Sequence, residues 1–245
     1  VLYAVADVLI LAHHISPRQD IPSTAIDFNA SEKWQRRAEI LTTMSKIPWS
    51  RLVAGGMLGV CVTPLVMTGS WVLYHALASA GPWFSIPVAL LWLAAYPVGA
   101  FIHGSFIYYG GSVQAWNEAE GPHKTELENL VFRMTKVLVF SYLVFFTLAI
   151  ATSIWYVVAV LQGTTALPLW MAFMNPVLMT LVYMLLARKV IPLGIMKYVQ
   201  GAGFNIVYII FFALILGFVS GNKEFLGNYH GQGIVQTERS MRKEF

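Results

Sequence analysis

The sequence predicts an all-α fold, a polytopic transmembrane bundle of about six membrane-spanning helices. Three observations carry this. Of 245 residues, 57% are hydrophobic and only 11% are charged, against about 25% charged in soluble domains. The apolar residues fall in runs of the length a bilayer demands, roughly 20 helical residues for a hydrocarbon core about 30 Å thick. Aromatic residues reach 14% and include 8 Trp, several near the ends of these runs, where amphipathic rings favour the interface. The mean hydropathy is +0.63.

The expected spans follow in order. Residues 1–15 (VLYAVADVLILAHHI) form the first, which starts at Val1 already inside its apolar run and is expected to be clipped. Residues 51–79, 84–110, 132–161, 167–187 and 203–220 form the second to sixth. The stretch 190–200 (VIPLGIMKYVQ) is short and interrupted by Pro192 and Gly194. It is re-entrant, interfacial or an N-terminal extension of the last helix, and it makes a seventh span if it crosses. The bundle therefore occupies 1–220, and the Gly-rich polar segment 221–245 reads as a soluble tail.

Charge patterning sets an expected orientation. The segments 16–50, with Arg51 at its border, 111–131 with its flanks Arg133 and Lys136, and 188–202 hold all the Lys and Arg outside the tail. The connections at 80–83 and 162–166 hold none. Basic loops mark the cytoplasmic side, so 16–50 and 111–131 are expected there, in a prokaryotic inner (plasma) membrane. Within 16–50, Asn29 or Ser31 can cap a helix at about 31–46. Trp34, Ala38, Leu41 and Met44 form its apolar stripe, with Lys33, Arg36 and Arg37 mostly off it. Such a basic amphipathic helix suits a membrane surface or a place against the bundle.

Net charge +4 with pI about 9.2 does not point to nucleic acid, because the basic residues sit in short topogenic loops. The single Cys61 excludes an intrachain disulfide. The chain carries no HExxH, paired CxxC, G-x-S-x-G or Walker sequence, which removes the motif-defined hydrolase and nucleotide-binding classes. No metal site is expected. His13 and His14 are adjacent and point about 100° apart on a helix, and the lysines Lys136, Lys189 and Lys197 flank apolar runs, so no span offers a Schiff-base lysine.

Polar groups inside spans carry the functional expectation, because ionisable residues in lipid face the bundle interior or a wet cavity. Asp7 shares one helix face with Tyr3, Leu11 and His14, placing Asp7 and His14 about 10 Å apart along the axis. They can bracket a polar headgroup. His103 lies near the end of the third span in "GAFIHGSFIYYGG", among Gly99, Ala100 and Gly104. Small residues let a neighbouring helix approach, so His103 is expected in a helix contact or a lined cavity. Gly55 and Gly59 form a small-xxx-small pair for helix packing, and Gly99 and Gly104 are small packing residues around the histidine. Pro64 frees a carbonyl that Thr63 can re-satisfy, and Asn175-Pro176 is expected to kink the fifth span and free carbonyls toward the interior. Asn205 opens the last span. Asp7, His103, Asn175 and Asn205 are thus expected to converge on one interior site.

"AVADVLIL", "IPWSRLVAGGMLGVCVTPLVMTGSWVLYHAL", "GAFIHGSFIYYGG" and "GAGFNIVYIIFFALI" together resemble an uncharacterised family of small prokaryotic multi-pass membrane proteins. The resemblance implies the bundle architecture and singles out Asp7, Arg51, His103 and Asn205. It supplies no reaction. The first functional expectation is binding of a lipid or other amphipathic small molecule in an intramembrane site. That role becomes enzymatic if Asp7 and His103 come within proton-transfer reach. The alternative is an accessory subunit of a larger membrane complex, with membrane-protein partners and haem or pigment ligation by His103. A small transporter is third, disfavoured by the absence of an internal repeat.

Overall fold

The computed structural model describes residues 2–11, 44–190 and 193–221. Among these residues there is no strand. The helices are α1 (Leu2–Leu11), α2 (Trp49–Leu77), α3 (Pro82–Glu118), α4 (Pro122–Leu161), α5 (Pro176–Val190) and α6 (Leu193–Gly221), with short 3-10 turns at Ala78–Ala80 and Leu169–Met174. His14, most of the expected helix at 31–46 and the tail lie outside the described residues. The described end of that loop helix turns Met44 and Ile47 inward, where Gln114 donates to both carbonyls at 3.3 and 2.6 Å.

Two glycine–proline pairs start the longest helices. Gly81 and Gly121 take φ of 95° and 60°, a region glycine enters without penalty. The prolines that follow occupy the first helical position, where a missing N–H costs nothing. The chain therefore turns from α3 into α4 over residues 119–121 alone. Much of the expected loop 111–131 is helix. With 37 and 40 residues these helices are about 55–60 Å long, so they outrun a bilayer core and carry their charged ends beyond it.

Prolines inside spans leave their helices continuous. Pro87 frees the Trp83 carbonyl, which accepts a 3.0 Å bond from the Trp155 indole of α4. The hydroxyl of Thr63 donates to Gly59 at 3.0 Å, one residue from the Val60 carbonyl that Pro64 leaves free. The fifth span departs most from expectation. Asn175 is extended (ψ 146°), as a residue before proline must tend to be, and it ends the 3-10 turn and begins α5. Its Oδ1 accepts from the Leu178 N–H at 3.0 Å and its Nδ2 donates to the Ala172 carbonyl at 3.0 Å. Asn175-Pro176 is a helix start with a capping side chain, not a kink. The stretch from Leu193 is the N-terminal extension of the last helix and adds no separate crossing.

Helices α2, α3, α4 and α6 are each long and apolar enough to cross a membrane. Only 28–33% of each apolar window is buried within the protein, and large side chains such as Trp83 (80% exposed) and Leu185 (70%) stand free on the outside. Apolar surface on that scale is incompatible with water. Lipid is the solvent for the outer faces.

The interior divides into two apolar clusters. Leu73, Trp92, Tyr156, Met171, Phe211 and Ile215 form one, and Ile10, Leu52, Phe106, Tyr109, Val113 and Leu138 form the other. Helix α3 packs on α2 and α4, while α1 packs between α2 and α6. Asp7, His103 and Asn205 line a cavity bordered by Trp92 of the first cluster and by Ile102 and Phe106 of the second.

Candidate functional site: a polar cluster in an aromatic cavity

The site is built where α1, α2, α4 and α6 meet α3 near its middle. Thr63 is the central residue of the 29-residue α2, and Tyr142 stands at the centre of the 40-residue α4. His103 is three residues past the centre of α3. The expected position near a span's end is displaced inward because the helix continues to Glu118.

Glycines on α2 bring the neighbours in. A Cβ on Gly55 would stand 2.7 Å from Ile10 and 3.0 Å from the Ala6 carbonyl of α1. A Cβ on Gly59 would collide with the Cβ and ring of His103, and one on Gly56 with Ile107 and, at 3.0 Å, the His103 carbonyl. The small-xxx-small pair Gly55 and Gly59 thus serves two different partners, α1 and α3. Gly99 and Gly104 do not bring a helix close. A Cβ on Gly99 would meet only Phe145 at 3.7 Å and one on Gly104 only Val60 at 3.4 Å. Room for the imidazole comes from across the interface, at Gly59.

Helix α1 buries Tyr3, Ala6, Asp7 and Ile10. Arg51 secures it by donating to the Val8 carbonyl at 2.7 Å. The Tyr3 hydroxyl is hydrogen-bonded to Thr63, whose own hydroxyl is bonded to Gly59. The Tyr3 and His103 rings lie 5.0 Å apart. Asp7 is the hub. Its Oδ2 accepts from Asn205 Nδ2 at 2.5 Å, and its Oδ1 lies 3.6 Å from His103 Nε2. Asp7, His103 and Asn205 converge from three helices, with residues 7 and 205 separated by almost the whole chain. Asn175 does not join them, being committed to its cap.

These polar groups form one wall of a cavity of about 240 Å³. Aromatic side chains in contact with one another form most of the rest, together with Val66, Ala95, Gly99, Ile102 and Met184. Trp92 meets Tyr208 at 4.7 Å between centroids, Tyr208 meets Phe204 at 4.7 Å, and Phe204 meets Phe145 and Phe146 at 5.6 and 5.7 Å. Trp92 also donates from its indole to Tyr96. The His103 Nδ1 and Tyr208 hydroxyl are buried without a hydrogen-bond partner among the described residues. The aromatic wall escaped the sequence analysis, although its signal was present. Trp92/Tyr96, Tyr142/Phe146 and Phe204/Tyr208 are aromatic pairs spaced i, i+4 on three separate helices, and that spacing puts both rings on one face.

Chemically the arrangement is a carboxylate–imidazole pair just outside the 2.6–3.2 Å range of direct proton transfer, at the end of a chamber lined mostly by aromatic rings. Neither imidazole nitrogen stands over an open slot. Nε2 faces Asp7, and Nδ1 abuts the Gly59 backbone.

Apolar crossing helices around an amphipathic central cavity fit an integral membrane protein of the helical-bundle class. The chain belongs to a family of unknown function, DUF6796, whose profile matches residues 1–220. Neither a curated protein nor a solved structure matches it.

Proposed function

We propose that the protein binds an amphipathic small molecule inside the membrane, polar end toward Asp7, His103 and Asn205 and apolar end among the aromatic rings. The cavity itself supports this reading most. At about 240 Å³ it exceeds the roughly 150 Å³ that accommodates benzene, yet falls short of the ~300–1,000 Å³ of pockets for drug-sized ligands. A headgroup or compact amphiphile is the matching size. Its lining reaches the outer surface at Phe146 and Met184, both exposed to lipid, so a ligand enters sideways from the bilayer. Ligation of a haem or pigment by His103 gains no support, since Nε2 faces Asp7 and Nδ1 is packed against the Gly59 position of α2.

Gly99 provides the test. It lines the cavity, and a side chain there meets little but open space. Gly99→Leu should fold with unchanged or higher thermal stability, because glycine costs about 0.5–1 kcal/mol in a helix interior. The same change should empty the site. Native mass spectrometry of gently extracted protein should show a retained small molecule on the wild type and none on Gly99→Leu. Equal retention by both would refute the reading.

The orientation we infer places the α3–α4 turn and the 16–50 segment on the cytoplasmic side of a plasma membrane, supported by the basic residues that flank them. Glu120→Cys, in a Cys61→Ala background, should resist an impermeant thiol reagent in intact cells and react once the cells are opened. Labelling in intact cells would invert the orientation.

A further inference from the structure

We propose that the ligand of this cavity is an organic cation, an amine or quaternary ammonium group carried on an apolar body. The inference rests on the binding reading above and names the chemical class that the same site selects. Charge comes first. Among the described residues that line the cavity, Asp7 is the one acid, and none is Lys or Arg. A carboxylate withdrawn from water is costly unless another charge or several donors answer it. Asn205 gives one oxygen a neutral donor, and the other oxygen has His103 at 3.6 Å. A ligand cation completes the balance. An anionic headgroup meets the opposite situation, a carboxylate and no fixed positive partner among the described lining residues.

The walls have the same preference. Aromatic faces carry negative quadrupole charge and attract a cation within about 6 Å of the ring centre, most strongly when it is desolvated, and cages of such rings recognise quaternary ammonium groups. Trp92, Tyr208, Phe204 and Phe145 form a connected set with successive centroids 4.7–5.6 Å apart. These rings and Asp7 line one chamber, so a bound ammonium lies among a carboxylate and aromatic rings together. Helix α4 meets α6 through Phe145 and Phe146 against Phe204, at the lipid-facing side of the chamber. The apolar body of the ligand lies there.

Titration of the full chain in a neutral maltoside detergent, read by tryptophan fluorescence and thermal melting, tests the class. The probes are benzyltrimethylammonium, its uncharged carbon isostere neopentylbenzene, and benzylphosphonate. The cation should bind at least about tenfold tighter than the isostere, in line with a desolvated cation–π contact, and the phosphonate should not bind. Asp7→Asn should reduce that preference to the part the aromatic rings supply, while leaving the isostere unaffected. If Asp7→Asn fails to fold, the wild-type comparison of cation with isostere decides alone. Equal binding of cation and isostere overturns the cationic class and leaves the cavity reading standing. Binding of neither overturns both. Dodecylphosphocholine forms a further arm: tighter binding than benzyltrimethylammonium assigns the cation to a lipid headgroup, and weaker binding to a free amine, either result upholding the class.

Discussion

Gly59→Leu should be the most damaging single substitution in the bundle, and Gly104→Leu, one residue from the same histidine, should be nearly harmless. The new Cβ on Gly59 overlaps the Cβ and ring of His103, closer than real side chains approach. His103 cannot retreat toward α1, with Tyr3 5.0 Å away centre to centre and Asp7 at 3.6 Å. Overpacking a well-packed contact costs about 1–3 kcal/mol, and here α3 must also move off α2, which dismantles the site. Gly104 instead faces an open lateral groove beside Val60, Phe101 and Tyr108, into which a leucine can extend. Thermal melting of both variants in detergent checks the pair. A Gly59→Leu protein as stable as wild type would contradict the packing described, as would collapse of Gly104→Leu.

The second large effect should come from Asn205→Leu, through what it leaves behind. Its amide is the 2.5 Å donor to Asp7 Oδ2, and Asp7 is only 8% exposed. Hydrogen bonds between transmembrane helices average only about 0.6 kcal/mol, so a neutral pair would hardly matter. Stranding a buried polar group is different, costing about 1–3 kcal/mol and more when the group is charged. The Asp7→Leu, Asn205→Leu double variant should then be more stable than Asn205→Leu alone, because removing both partners leaves no orphan. A double variant less stable than the single would show that the pair contributes attraction and not merely compensation. Both variants should lose the bound small molecule, which separates the stability effect from the binding effect.

What could be read from the chain alone was whatever repeats locally. Apolar runs of bilayer length announce α2, α3, α4 and α6 without any knowledge of their neighbours, since a lipid solvent acts on each segment independently. Intramembrane polarity picked out Asp7, His103 and Asn205 for the same reason, each being expensive wherever it stands. Helix ends were less legible. Charged residues after 110 suggested a loop, but the Gly121-Pro122 start lets α3 and α4 run past the bilayer, where water accepts charged helix. Asn175 fell on the same ambiguity between two local uses of one dipeptide, and Asn175-Pro176 serves as a capped helix start.

The tertiary structure alone decided which polar residues meet. Nothing within α1 states that Asp7 reaches a residue 198 positions away, and nothing in α3 reveals that its histidine is accommodated by a glycine of α2 rather than by its own. Small residues and i, i+4 aromatic pairs declare that a face is special without saying what it faces. Partnership depends on how helices are placed around one another, which is a property of packing between segments far apart in sequence. The aromatic chamber arises the same way. Its rings come from α3, α4 and α6, and only their juxtaposition turns three ordinary apolar faces into a cavity with a carboxylate at one end.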